Sequence, residues 1–160
     1  MSEFISPEDT RYDERARALV RIGREAIAVA DDEKLDRYFA EGFSFHGPDG
    51  DMEYADLRSF FAAMRGAFEG FACERRELLS SGAFIAARTS MSGVFNSRFD
   101  ASPIGPIEPT GKPMRLELIN LFRYDEDGLL VEEWVQYDNI GFLRQLGVEL
   151  TAESRVNSVG

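Results

Sequence analysis

The sequence predicts one domain of the α+β class, in which helices come first and an antiparallel sheet follows. Apolar residues recur at helical spacing in the first part of the chain and alternate with a period of two in the second part. The segment Asp-Glu-Asp-Gly at 125–128 separates the last two alternating stretches and indicates a hairpin turn. The chain of 160 residues has the length of a single domain, so we expect one domain over 1–160, with its core at 13–148 and a tail at 149–160.

Two helices are predicted before the first strand. The first should run from Pro7 to Ala30, because apolar residues share one face and Ser6 precedes the proline as a helix cap would. Asp31 or Asp32 can cap a shorter second helix, which a glycine at position 42 would end.

The remaining elements follow from the change of period along the chain. A brief strand around Phe45 and a turn at 47–50 precede a third helix at 54–68. Four strands are then expected, at 71–80, 83–95, 113–124 and 129–138. The stretch 96–111 is rich in proline and glycine and predicts a long loop, which could be a lid, a subunit contact or simply flexible. A closing helical turn is expected at 139–147.

The charge of the chain bears on its partners. Lys and Arg total 18 against 29 Asp and Glu, for a formal net charge of -11. Such a field repels phosphate backbones and anionic lipid, so no nucleic acid and no membrane surface is expected as a partner. Arg75 and Arg76 form the densest basic cluster, and because acids flank them they predict a solvated face. The first residues lack the basic and apolar regions of a signal peptide, which predicts a cytoplasmic protein.

The cysteine and histidine counts bear on metal binding. Cys73 is the one cysteine, so no disulfide can form within the chain and no thiolate cluster can bind zinc. Its segment alternates like a strand, which predicts a small buried side chain. His46 is the one histidine. Since a zinc site needs three or four protein ligands, no metal is predicted.

Three stretches together carry a family resemblance. They are Pro-Thr-Gly-Lys at 109–112, the hairpin from Phe122 to Trp134, and Leu-Arg-Gln-Leu-Gly at 143–147. Their order and spacing resemble the SnoaL-like polyketide and ester cyclases of the NTF2-like superfamily, over roughly 13–148. This resemblance implies an NTF2-like cone, in which a curved antiparallel sheet wraps around N-terminal helices and encloses an apolar pocket. It also implies a cofactor-independent aldol cyclase that uses a carboxylate, and a homodimer formed across the outer face of the sheet.

The chain departs from that cyclase pattern at two places. The resemblance leads us to expect a catalytic acid one or two positions after Trp134, where Val135 and Gln136 stand. It also implies a histidine on the partner strand shortly before Arg123, where Asn120 stands. Both differences weigh directly against the aldol mechanism.

The last strand carries the acids available for catalysis, which are Glu132, Glu133 and Asp138. By alternation Glu132, Trp134, Gln136 and Asp138 share one face, while Glu133 lies on the other with Val135 and Tyr137. Both faces hold large apolar groups, so the sequence leaves open which one lines the pocket. Asp138 matches an acid common in the family, and it either caps the following helix or transfers the proton.

Several other polar or aromatic residues are candidates for contact with a ligand. His46 lies beside a strand end and a turn, where it could act as a general acid or base or as a hydrogen-bond donor, although a structural role is the alternative. Arg88 and Asn120 interrupt apolar strands, so each either pairs with a polar neighbour or binds substrate. Trp134 and Gln136 complete the candidate substrate contacts, Trp134 with core or dimer packing as its alternative role.

Two functions remain open at this point. The first is an enzyme of the cyclase, isomerase or hydratase type that acts on a small, largely apolar carbonyl compound, with Asp138 and His46 as catalytic residues and Asn120 as a further possible donor. The second is a non-catalytic binding or dimerisation module that keeps the same fold.

Overall fold

A computed structural model describes residues 2–151, so most of the tail predicted at 149–160 lies outside the described residues. In chain order the elements are α1 (Glu14–Ile22), a π-helical turn (Gly23–Ile27), α2 (Asp32–Tyr38), β1 (Phe39–Gly47), β2 (Gly50–Glu53), α3 (Tyr54–Ala67), β3 (Phe68–Ser81), β4 (Phe84–Phe95), β5 (Pro113–Tyr124), β6 (Leu130–Tyr137) and α4 (Asn139–Gln145).

The strands form one curved, open sheet in the order β2-β1-β6-β5-β4-β3. Strands β3 to β6 make an antiparallel meander, as the alternating pattern predicted, and β1 joins it in parallel beside β6. Four helices and six strands in this arrangement confirm the α+β prediction. No helix within residues 2–151 combines the length and apolarity needed to cross a bilayer.

The first helix is shorter than predicted. It begins at Glu14 rather than at Pro7, because the Asp13 carboxylate accepts a hydrogen bond from the backbone N–H of Ala16 at 2.8 Å and caps the helix there. After Ile22 the chain widens into the π-helical turn. The buried residues of this segment, from Ala16 to Ile27, face the sheet and form one wall of the core.

The π-helical turn approaches strand β3 very closely at Gly23. A Cβ atom placed there would lie 2.7 Å from the backbone oxygen of Cys73, so only glycine fits without moving the helix or the strand. Cys73 is buried at this contact, as its sequence context predicted.

Two regions differ from the predicted elements. Strand β1 is longer than the brief strand expected, because it pairs on both sides, with β6 and with β2.

The long loop at 96–111 is anchored rather than free. Phe99 and Ile107 exchange backbone hydrogen bonds, and the Phe99 ring is buried against Phe68 and Phe142. The loop is therefore attached to the core through Phe99 and Ile107, whereas Ile104 between them is exposed.

Candidate active site

A cavity of about 140 Å³ lies between the helices and the concave face of the sheet. Most of its wall is apolar and comes from the first three helices and the inward-facing residues of the strands. The polar and ionisable side chains that line it are Tyr38, Asp49, Arg75, Asn120, Glu133 and Tyr137. Largely apolar walls with a few convergent polar groups are typical of ligand sites.

Glu133 is the buried acid of this cavity. On β6 it shares the inward face with Val135 and Tyr137, so the structure answers the question of which face lines the pocket. Its Oε1 accepts a hydrogen bond from Asn120 Nδ2 at 3.0 Å. Burial raises the pKa of Glu133 to about 7, against the opposing effects of the Asn120 hydrogen bond and the charge of Arg75. The carboxyl group can therefore take up and release a proton near neutral pH.

A chain of hydrogen bonds holds Glu133 in place. The Asn120 side-chain oxygen accepts from the hydroxyl of Thr89 at 2.7 Å, and Thr89 in turn accepts from Arg75 Nη1 at 2.6 Å. All four residues are at least nine-tenths buried, and they lie on the consecutive strands β3, β4, β5 and β6. Since both ends of the Asn120 amide are used, its orientation is fixed and it positions the carboxyl group of Glu133.

A pair of tyrosines supplies a neutral donor to the same cavity. The hydroxyls of Tyr38 and Tyr124 lie 2.5 Å apart, and Tyr38 lines the cavity. Burial raises the pKa of Tyr38 to about 12 and that of Tyr124 well above its ordinary value, so both keep their protons at neutral pH. When Tyr124 donates to the oxygen of Tyr38, the hydroxyl proton of Tyr38 is free to face a ligand.

Of the six residues proposed from the sequence as site residues, Asn120 lines the cavity and the other five do not. Asp138 is exposed and begins α4, where its Oδ1 accepts from the backbone N–H of Gly141 at 2.8 Å. The structure thus gives Asp138 the capping role that the sequence left open, and its carboxylate lies outside the cavity.

His46 lies on the outer face of the sheet, because β1 turns Phe45 inward and the next residue outward. Its Nδ1 lies 2.9 Å from Asp51 Oδ1 and its Nε2 lies 2.8 Å from Glu132 Oε2, and these two carboxylates raise its pKa. The imidazole stacks on Trp134 with ring centroids 5.5 Å apart. This cluster is separated from the cavity by the sheet itself.

Trp134, Gln136 and Arg88 also lie on the outer face and are exposed. Arg88 lies 3.7 Å from Glu77, the polar neighbour that was the alternative to substrate contact. Arg75, in contrast, is 3% exposed and lines the cavity, so the predicted solvated face at Arg75 and Arg76 is wrong for Arg75. Neighbouring residues of a strand face opposite sides of the sheet, so strand alternation predicts that the two arginines face opposite sides. The structure agrees, since the Arg76 guanidinium binds Glu117 on the outer face.

No cluster of three or more His, Cys, Asp or Glu side chains suited to a metal ion occurs within residues 2–151. The hydrogen-bonding groups of the cavity are instead one carboxyl, one amide, one guanidinium and phenolic hydroxyls, with Asp49 at its edge.

Comparison with known proteins agrees with this fold. A family model described as SnoaL-like polyketide cyclase matches residues 17–146. AclR of Streptomyces galilaeus, a candidate hydroxylase, is 18% identical over 91% of this chain and 90% of its own, with a TM-score of 0.71. IdmH of Streptomyces antibioticus, a candidate polyketide cyclase, is 21% identical over 85% and 100%, with a TM-score of 0.70. A protein of ketosteroid isomerase-like fold from Catenulispora acidiphila, solved with trimethylamine, is 14% identical over 91% and 96%, with a TM-score of 0.63. No curated protein sequence matches the chain significantly.

The curved sheet, the helices packed on its concave face and the enclosed cavity define a protein of the NTF2-like, ketosteroid isomerase-like fold class. Within that class, the chain belongs to the SnoaL-like polyketide cyclase family.

Proposed function

We propose that this protein is a cofactor-independent enzyme of the cyclase, isomerase or hydratase type, which moves a proton at a carbon beside a carbonyl group with Glu133 as the base. The observation that carries the proposal is a carboxyl group buried in an apolar cavity, oriented by Asn120 and with its pKa raised to about 7. A general base works best when its pKa lies near the pH at which it acts. Glu133 takes the role that the sequence offered to Asp138.

Glu133 lies two residues before Val135, the first of the two positions at which the family resemblance leads us to expect an acid. Glu133 and Val135 share the inner face of β6, and residues two apart on a strand are separated by about 6.6 Å. Either position would direct a carboxyl group into the same cavity. The absence of an acid at Val135 therefore does not remove acid–base chemistry from this fold.

The proposed reaction uses two groups of the cavity. Glu133 removes a proton from the carbon next to the carbonyl, and the electrons of the C–H bond move to the carbonyl oxygen to form an enolate. The hydroxyl of Tyr38 donates a hydrogen bond to that oxygen as its negative charge develops. In ring closure, the enolate carbon attacks a second carbonyl carbon of the same molecule, and the oxygen of that carbonyl takes the proton from Glu133. In isomerisation, the substrate has a C=C bond next to the acidic C–H bond, so the enolate is a conjugated dienolate and Glu133 returns the proton at its far carbon.

Proton abstraction can be tested without knowledge of the substrate. Nitrobenzisoxazole is a small neutral compound in which a base removes one C–H proton, the N–O bond breaks and a coloured phenolate is released. We expect turnover that rises with pH through about 7, because the base must be ionised. Glu133→Gln should lower the rate by about a hundredfold, since a positioned general base contributes on that order.

Glu132→Gln is the matched control for this test. Glu132 is the neighbouring residue, but it faces outward and pairs with Arg123 and His46. Its variant should keep the wild-type rate. Equal rates for the wild type and Glu133→Gln would contradict the proposed role of Glu133.

A non-catalytic binding module is the alternative function, and the apolar side chain at Val135 in the cavity wall favours it. This alternative predicts a protein that holds small molecules in the cavity but does not accelerate the loss of the probe's proton beyond the rate in carboxylate buffer. The wild-type rate alone therefore separates the two functions.

We further propose that the outer face of the sheet is the interface of a homodimer. Ile119, Leu121 and Trp134 are 58%, 38% and 36% exposed, and Leu121 lies directly opposite Trp134 on neighbouring strands. Large apolar side chains that share one exposed sheet face are typical of association surfaces. A second copy of the chain is the partner that the family resemblance implies.

A further inference from the structure

Arg75 is a buried arginine whose positive charge has no ion pair. Its Nη1 donates to Thr89 and its Nε to the backbone oxygen of Leu19 at 3.5 Å, while the guanidinium lies 5.3 Å from the centre of the Phe122 ring. Within the described part of the chain, no carboxylate forms an ion pair with Arg75 and its Nη2 has no hydrogen-bond partner. The guanidinium lines the cavity, so this unused donor is available to a ligand.

An unpaired buried charge is costly, and the other acids of the cavity do not neutralise this one. Glu133 has one oxygen bound to Asn120, and its burial favours the protonated, uncharged form. Asp49 is exposed at the turn between β1 and β2, where it accepts hydrogen bonds from Tyr137 and Asn139. While Glu133 is protonated, the cavity therefore contains one cation without a matching anion.

We propose that Arg75 binds a carboxylate group of the substrate, so that the substrates of this protein are small organic acids with an apolar body and a carbonyl group. A carboxylate suits this place because its single negative charge balances the single positive charge of the guanidinium, and its oxygens accept hydrogen bonds from the N–H groups of Arg75. A doubly charged phosphate would leave one negative charge unbalanced between apolar walls.

The reacting end of such a substrate would lie at Glu133, and this part of the inference rests on the proposed function. The backbones of Arg75 and Glu133 lie on β3 and β6, three strand spacings or about 14 Å apart along the sheet. Their side chains lie closer together, because Thr89 and Asn120 link them by hydrogen bonds. The carboxylate and the acidic C–H bond therefore belong to different positions of one molecule, a few bonds apart.

The test compares two ligands of nearly equal shape, benzoate and benzamide, at about pH 6, where benzoate is ionised and Glu133 is mostly protonated. Binding is followed through the methyl NMR signals of methionine, because Met52 and Met91 line the cavity and Met114 does not. We expect benzoate to bind at least about tenfold more tightly than benzamide, as a hydrogen bond to a charged group provides.

Arg75→Gln should remove this preference, while Arg76→Gln should keep it, because Arg76 lies beside it in the chain but pairs with Glu117 on the outer face. Equal binding of benzoate and benzamide to the wild-type protein would overturn the inference, and this result needs no variant to fold. The inference would also be overturned if the folded Arg75→Gln variant still bound benzoate more tightly than benzamide. Nitrobenzisoxazole is neutral and has no carboxylate, so its turnover by the wild-type protein tests the base at Glu133, whereas the preference for benzoate over benzamide tests the carboxylate site; the two can therefore fail separately.

Discussion

At the scale of single residues, the buried carboxyl of Glu133 links the stability of the protein to pH. The folded protein raises the pKa of Glu133 from 4.5 to about 7, which means that the folded state holds this proton more tightly than the unfolded chain does. The stabilising contribution of the proton is complete below about pH 4.5 and is lost as the pH rises through about 7. Ionisation of Glu133 therefore weakens the fold.

Glu133→Gln should remove this dependence, because glutamine keeps the acceptor for Asn120 but carries no charge. The free energy of unfolding of the variant, relative to the wild type, should rise by up to about 3 kcal/mol between pH 4.5 and about pH 8, as a pKa shift of this size implies. Urea unfolding at both pH values measures it. If the difference in free energy of unfolding between Glu133→Gln and the wild type did not change with pH, the raised pKa of Glu133 would be contradicted. Glu132 contributes in the opposite sense and in another pH range: Arg123 and His46 lower its pKa, so the stability that its charge provides is present above about pH 4.5 and is lost as the pH falls further.

Residues of the site could be predicted from the sequence only in part. Asn120 was recognisable, because a polar side chain inside an apolar strand needs a partner or a ligand. Glu133 was one of three acids on the last strand, and alternation alone could not say which face is concave. Arg75 was missed because its charged neighbours in the chain suggested solvent, although it continues the inward alternation of Phe71 and Cys73 along β3.

At the scale of elements, the contact between the π-helical turn and β3 fixes the position of the first helix over the cavity. Leu19 and Ile22 from this helix line the cavity, so a shift of the helix would change the shape of the site. Gly23 makes the close approach possible. The sequence predicted a helix in this region, but its late start at Glu14 and its wider last turn depend on the Asp13 cap and on packing against Cys73.

Gly23→Ala should destabilise the fold by about 1 to 3 kcal/mol, because the added methyl group would overlap the backbone oxygen of Cys73. Gly66→Ala is the matched control. Gly66 is an exposed residue within α3, and a Cβ atom added there meets no atom within 4 Å. That control should stabilise the protein by about 0.5 to 1 kcal/mol, as alanine favours a helix over glycine. Thermal unfolding of both variants gives the comparison, and similar changes in both would show that the contact at Gly23 is not tight.

At the scale of the whole molecule, the sheet has two faces with different uses. Its concave face covers the cavity, and its outer face presents Ile119, Leu121 and Trp134. The order of helices and strands and the fold class followed from hydrophobic periodicity together with the family resemblance. The parallel pairing of β1 with β6 brings together segments that are far apart in sequence, and no local sequence pattern predicts it.

Trp134→Glu should convert the proposed homodimer to monomers, because it places a charge within the apolar row on the outer face, directly opposite Leu121. Size-exclusion chromatography with light scattering measures the mass directly. Arg98→Glu is a suitable control, since Arg98 is an exposed loop residue outside this row. A monomeric wild-type protein would contradict the dimer, whereas the cavity and its chemistry would be unaffected.

The inner face of β6 has a consequence for how such a protein can diversify. Positions 133, 135 and 137 all direct their side chains toward the same cavity, and here they carry an acid, an aliphatic group and a phenol. If the acid stood at another of these three positions, it would contact a different atom of the ligand, while the backbone would stay unchanged. Evolution could thus change which bond of a substrate reacts without building a new fold. Relatives are best compared by the direction in which a residue faces, since a catalytic acid that has moved by two residues looks lost in a column of aligned letters.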